Sequence, residues 1–211
     1  FFFFFFLFFF FPKVDIYISE IFFLNGKFIS EKYLFIKDLR HLLKNLMICI
    51  PIIAIVILLK SQIYKNKQKI NIRGKYSLIG LLLGPIIGCG LIANLYFKDT
   101  WGRARPVHIQ EFGGDKIFTA PFIKSDQCEK NCSWISGEAS GAFSFLVGTI
   151  LMKNKLYVLM NMVLGFLVFF CRLTMGGHFF SDNIFAMIFM IYLAVIYKYL
   201  VILCLKNKII K

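Results

Sequence analysis

Arg172, His178 and Asp182 fall within eleven residues of one another, in the stretch Cys171-Arg-Leu-Thr-Met-Gly-Gly-His-Phe-Phe-Ser-Asp182. His178 and Asp182 are four apart, the spacing of one helical turn, so a helix would put them on one face. A carboxylate there can hold one imidazole nitrogen by hydrogen bond and leave the other free to react. Arg172 precedes the histidine by six residues, across Gly176-Gly177, and paired glycines allow a tight turn that folds the guanidinium back over the ring. The plainer alternative is a snorkelling arginine, an interfacial histidine and a helix-capping aspartate.

Two other stretches carry the same kind of chemistry. One reads Lys98-Asp-Thr-Trp-Gly-Arg-Ala-Arg105-Pro106, with the two outer cations seven residues apart. Two helical turns would let both face one way before Pro106 ends the helix. Arg103 lies off that face and reads as a headgroup contact. The other stretch is Ser133-Trp-Ile-Ser136-Gly137-Glu138-Ala-Ser140, opening an apolar run. A helix N-terminus offers free N–H groups to an anion, a glycine lets the anion approach, and Ser136 adds a donor.

The elements that must position these residues are membrane helices. Of 211 residues, 59% are apolar and 27 are Phe, too apolar for a soluble domain of this length. The apolar residues fall in long runs, which gives an all-α, polytopic bundle of about six spans. Residues Phe1–Phe11 span about 16 Å as helix against about 30 Å of hydrocarbon, so they read as the end of a truncated first span. Lys13–Lys44 reads as interfacial amphipathic helices around an Asn25-Gly26 turn. The further spans are Asn45–Leu59, Tyr76–Phe97, Ile135–Met152, Leu156–Cys171 and Asn183 to about Leu205, with a kink at Gly84-Pro85. Gly80, Gly84, Gly88 and Gly90 read as helix-packing surface. Trp101 and Trp134 read as interfacial anchors. A single integral-membrane domain over 1–211, with a catalytic core at 98–182, is expected.

The net charge of +14 comes largely from cations in short loops between apolar runs, which determine topology and meet anionic headgroups. No nucleic-acid partner is inferred, and no obligate protein partner. The basic segments Lys60–Lys75, Lys153–Lys155 and the C-terminal tail fall on the cytoplasmic side. The three chemical stretches then share the opposite face. Together they gather three cations, a helix N-terminus, a hydroxyl, an imidazole–carboxylate pair and Glu138, which amounts to a phosphate site with a nucleophile in it. Lys98, Arg105 and Arg172 can neutralise a phosphoryl group without a metal or cofactor, and neither is expected. Cys128 and Cys132 in the outer loop leave an external disulfide and two free thiols equally open.

The pattern Lys-x6-Arg-Pro, then Ser-Gly, then Arg-x5-His-x3-Asp resembles the three-part signature of the type-2 phosphatidate phosphatase superfamily, which includes lipid phosphatases and vanadium haloperoxidases. The resemblance runs from Lys98 to Asp182. It implies that Lys98, Arg105, Ser136, Gly137 and Arg172 bind phosphate, that His178 forms a phosphohistidine, and that Asp182 orients it. The second motif usually reads Pro-Ser-Gly-His, and Glu138 stands here where that histidine donates a proton. Glu138 is expected to take over as general acid, with a helix-start residue or a partner for Arg105 or Lys98 as alternatives. The third motif usually opens Ser-Arg, and here it is Cys171-Arg172. The Ser-Gly-Glu variant resembles a lipid A phosphatase-like branch. The resemblance implies a metal-independent phosphatase in a bacterial inner or cell membrane, its site facing the periplasm or exterior, acting on lipid A, phosphatidylglycerol phosphate or phosphatidate. An undecaprenyl diphosphate phosphatase and a non-catalytic anion-binding protein or transporter remain alternatives.

Overall fold

A computed structural model describes residues 1–63 and 70–209, without the side chains of 207–209. Much of the basic segment Lys60–Lys75 and the last two tail residues lie outside the described residues. The architecture is all-α. Helix α1 is Phe2–Phe10, α2 Val14–Glu20, α3 Ile29–Lys32, α4 Phe35–Ile63, α5 Ile72–Gly84, α6 Gly137–Ser144, α7 Leu146–Thr149, α8 Leu156–Thr174 and α9 Phe180–Ile209. Helix α5 runs on as a π-helix over Pro85–Lys98, so the expected kink is a change of helical bonding at Gly84-Pro85. A two-residue pair of strands, β1 (Phe23–Leu24) and β2 (Lys27–Phe28), closes around Asn25-Gly26, both at positive φ.

Among the described residues, four segments are long and apolar enough to cross a bilayer: Phe35–Ile63, Ile72–Lys98, Leu156–Thr174 and Phe180–Lys206. Helices α1 and α2 make a fifth candidate only as a pair bent by 88°. The span read at Asn45–Leu59 starts ten residues earlier, because the polar stretch Lys37–Lys44 continues the same helix. The span read at Ile135–Met152 is two short helices, α6 and α7, broken at Phe145 and buried along most of their length.

Small residues let α5 lie close against α6 and α7. A Cβ on Gly84 would stand 2.2 Å from the Ser144 carbonyl oxygen, and one on Gly80 would stand 2.7 Å from that of Val147. Gly88 meets the Met190 sulfur on α9 in the same way, whereas Gly90 faces open space apart from the Pro85 carbonyl and is no packing contact. The central core joins Phe8, Trp134, Ile135, Phe143, Phe185 and Met190. Trp134 is only 2% exposed and tilts against Phe185, so it is a core residue rather than an interfacial anchor. Within the phenylalanine run, Phe8 packs on Phe180 and Phe185 while Phe2, Phe3, Phe9 and Phe10 point outward. A second apolar cluster, of Ile16, Phe28, Ala104, Ile109, Phe112 and Phe179, ties α2 and the β-pair to the loop after Lys98 and to the start of α9.

Candidate active site

The turn between α8 and α9 sets the site. Helix α8 ends in a Schellman motif: Gly177 N–H donates to the Arg172 carbonyl and Gly176 N–H to that of Leu173, both at 3.0 Å. Gly176 takes the required left-handed conformation, φ +59°. The chain then turns sharply enough for His178 to follow directly on Gly177. A Cβ on Gly177 would lie 2.4 Å from Arg172 Nη2, so the absent side chain is the space that the guanidinium occupies. The turn thus sets the Arg172 guanidinium against Gly177, the residue before the histidine.

His178 is 1% exposed, and its Nδ1 lies 2.7 Å from the Ser133 carbonyl oxygen. A carbonyl only accepts, so Nδ1 carries the proton and Nε2 keeps its lone pair. Asp182 Oδ2 stands farther away, 3.6 Å from Nδ1. The direct orienting contact is therefore the Ser133 carbonyl, with Asp182 behind it. Asp182 Oδ2 accepts from Ser133 Oγ and from Phe179 N–H at 2.8 Å, the latter a capping-box bond at the start of α9. Burial pushes the His178 imidazole well below the ordinary histidine range, and Arg172, Arg105 and Lys98 push it further the same way. The ring is neutral at neutral pH, the form in which a nitrogen can attack.

Lys98 and Arg105 do not share a helical face, because the helix ends at Lys98 and Gly102 turns the chain at φ +69°. They converge instead on Asn131. Lys98 Nζ donates to Asn131 Oδ1 at 3.2 Å, and Arg105 Nε and Nη2 donate to the Asn131 carbonyl at 3.2 and 2.8 Å. Asn131 belongs to the loop closed by the Cys128–Cys132 disulfide. Ser136 caps α6 by accepting from Ala139 N–H at 3.4 Å. A Cβ on Gly137 would lie 2.8 Å from Lys98 Nζ, so this glycine admits the lysine to the N-terminus of α6. An open cavity of about 320 Å³ beside Lys98 is lined by Gly90, Asn94, Leu95, Asp99, Lys130 and Asn131.

Glu138 is paired neither with Lys98 nor with Arg105. Arg40, on α4, grips it with both edges: Nε reaches Oε2 at 2.9 Å and Nη2 reaches Oε1. Arg172 Nη1 lies 3.6 Å from the same Oε1. Among the described residues Arg172 Nε has no hydrogen-bond partner although its side chain is 6% exposed. A buried guanidinium N–H without an acceptor is a place for an incoming oxyanion.

Arg103 is no headgroup contact. Its side chain is fully buried, with Nη1 2.6 Å from Asp182 Oδ1 and Nη2 2.7 Å from Asp15 Oδ2. Its plane covers the Phe179 ring at 4.2 Å. Arg40, Asp15, Arg103 and Ser133 thus join the residues that the motifs pick out. Among the described residues, no three His, Cys, Asp or Glu side chains group as metal ligands.

A helical membrane protein with cations, a capped helix start and a neutral histidine at one edge has the make-up of a phosphoryl-transfer site. Residues 77–205 match the PAP2 superfamily, and the chain belongs to it. Three curated relatives are each named lipid A 4'-phosphatase. The protein of Francisella tularensis subsp. novicida is 39% identical over 85% of this chain and 82% of its own. Those of Rhizobium etli and Rhizobium leguminosarum are 31% and 29% identical, each over 82% of this chain and over 73% and 80% of their own. No solved structure matches the chain. Family and relatives make it a phosphoric monoester hydrolase of the membrane, a lipid phosphatase in the lipid A phosphatase-like branch.

Proposed function

We propose that the chain removes a phosphate from the sugar headgroup of lipid A or a closely similar phosphoglycolipid, through a phosphohistidine on His178. The observation that carries this is the His178 ring: buried, its Nδ1–H donating to the Ser133 carbonyl, its other nitrogen left free, and the charges of Arg172, Arg105 and Lys98 acting on it. The relatives named for lipid A 4'-phosphate support the substrate.

Phosphate oxygens displace Asn131 from Lys98 and Arg105 and take the open Nε of Arg172, with the first N–H groups of α6 at Ser136-Gly137 completing the cradle. His178 Nε2 attacks phosphorus as the bond to the lipid oxygen breaks. Three cations offset the charge on the equatorial oxygens, so no metal is needed. Glu138 serves the leaving group. Without substrate its carboxylate is the counter-ion of Arg40 and Arg172. Burial raises the pKa of this carboxyl, but Arg40 and Arg172 outweigh burial and hold it at about 2 in the free site. A bound phosphate dianion competes for Arg172 and shifts the carboxyl toward the protonated acid, which hands its proton to the departing alkoxide. Water then cleaves the N–P bond and frees phosphate.

The site faces away from the cytoplasm in this reading. The basic turn Lys153–Lys155 ends the helices whose other ends carry the site, and the disulfide loop lies on the site side. The test is phosphate release by the purified chain in micelles, from lipid A, phosphatidylglycerol phosphate, phosphatidate and undecaprenyl diphosphate, with chelator present. Lipid A is expected to be the best substrate. His178→Ala is expected to lose all turnover, and a fully active His178→Ala would overturn the mechanism.

A further inference from the structure

Asp15 lies on α2, more than 160 residues from the catalytic turn in sequence, yet it is fully buried against that turn. Its Oδ1 accepts from Ser181 N–H at 2.8 Å, and its Oδ2 accepts from Ser181 Oγ and from Arg103 Nη2 at 2.7 Å. Arg103 passes the connection on, with Nη1 2.6 Å from Asp182 Oδ1 and Nε donating to the Thr119 carbonyl at 2.9 Å. Asp182 in turn holds Ser133 Oγ, and the Ser133 carbonyl holds His178 Nδ1. One guanidinium is therefore shared by two buried carboxylates. A clamp for folding alone would need one carboxylate, since each further buried charge must be desolvated.

We propose that Asp15 is a positioning residue for phosphoryl transfer. Through Arg103 it fixes Asp182 and Ser133 behind His178, and with both carboxylates ionised it gives this buried network one negative charge in excess. The excess matters at one step, and the inference rests on the phosphohistidine reading above. When Nε2 gives its lone pair to phosphorus, the P–O bond breaks and its electron pair leaves on the lipid oxygen. The ring keeps its Nδ1 proton and gains a positive charge. Lys98, Arg105 and Arg172 act on the ring with charges that oppose that gain, and Arg40 adds to them once Glu138 has taken up its proton. The Asp15–Arg103–Asp182 network supplies the balancing charge on the Nδ1 side.

The experiment compares wild type with Asp15→Asn, purified as the full chain in micelles, using phosphate-labelled lipid A in single turnovers. The wild type must turn over and trap label on His178; if it does not, the mechanism has failed and the role of Asp15 falls with it. Given an active wild type, Asp15→Asn is expected to form phosphoenzyme about 10–100-fold more slowly with KM within about twofold. The acidic limb of its pH–rate profile is expected to move to lower pH, because the protonated ring loses a stabilising charge while the plateau falls. A clamp without electrostatic effect would lower the plateau and leave the limb in place. Wild-type phosphoenzyme formation in a folded Asp15→Asn, or an unmoved limb, overturns the proposal. Should Asp15→Asn not fold, Ser181→Ala removes the hydroxyl shared by Asp15 and Arg103 and keeps both charges. It is expected to slow phosphoenzyme formation about threefold, and an unchanged rate there would equally overturn the proposal.

Discussion

Gly177→Ala separates activity from folding. A Cβ at this position would stand 2.4 Å from Arg172 Nη2 and 2.7 Å from Cζ, with no backbone atom closer. An ordinary contact is about 3.4 Å or more, so the guanidinium has to withdraw by about 1 Å. Position 177 does not have the left-handed φ of Gly176, and its neighbour is a side chain that can move, so the cost to stability stays within about 1 kcal/mol. Arg172, however, is the cation proposed to meet the phosphate, and among the described residues its Nε has no hydrogen-bond partner. A 1 Å displacement of a positioning group costs on the order of 100-fold in rate. The expected result is kcat/KM on a lipid phosphate lowered about 100-fold, with a thermal midpoint within a few degrees of wild type. Gly176→Ala is the internal contrast. Its Cβ would strike the Phe28 ring at 2.3 Å on a residue at φ +59°, and the left-handed conformation alone costs about 1–2 kcal/mol. That variant should lose stability first. A folded Gly177→Ala with wild-type kcat/KM would refute the placement of Arg172 on the phosphate.

Four further outcomes are expected. Glu138→Gln should slow hydrolysis of a lipid phosphate much more than that of an aryl phosphate, whose phenolate leaves without a proton; equal losses would make Glu138 only the counter-ion of Arg40 and Arg172. Because burial and the neighbouring cations keep His178 neutral, activity should hold on the acid side well below pH 6.5, and an acidic limb at about 6.5 would contradict that environment. The same displacement has a stability consequence: the unfolded chain takes up the histidine proton first, so this contribution to stability is complete above about pH 6.5 and is lost as pH falls toward the depressed native value. Cysteines introduced at Glu111 and Asn154, in a chain cleared of its native cysteines, should react with an impermeant reagent from opposite sides of the membrane; reaction of both from one side would rule out the proposed orientation.

The apolar helices and the Arg172–His178–Asp182 turn are legible in the sequence because both depend on local patterns. Periodicity and length mark the helices, and two glycines mark the turn. The misreadings come from assuming regular helix where the chain leaves it. Counted by helical angle from Lys98, Arg103 falls off the useful face, but no helix joins the two, and this residue is the most buried cation of the site. By residue type Trp134 belongs at an interface, whereas its ring fills the centre of the bundle. In sequence Arg40 is much like the lysines around it, and only the meeting of α4 with α6 distinguishes it. Asp15 carries one faint signal, a lone carboxyl between apolar residues, and its partner lies too far along the chain for any local pattern to reveal.

The distance between Asp15 and Ser181 also bears on how the chain comes into being. Helix α2 is made long before α9, and 166 residues separate the two ends of their hydrogen bonds. Until Arg103 and Ser181 arrive, Asp15 has no partner and cannot be taken out of water cheaply, so α2 waits at the surface. Contacts this far apart form late, since the loop they close must be ordered first. Until α2 docks, Arg103 lacks one of the two carboxylates between which it is held. On the proposed role of Asp15, the full rate of hydrolysis is reached only when α9 has been threaded and α2 has docked on it.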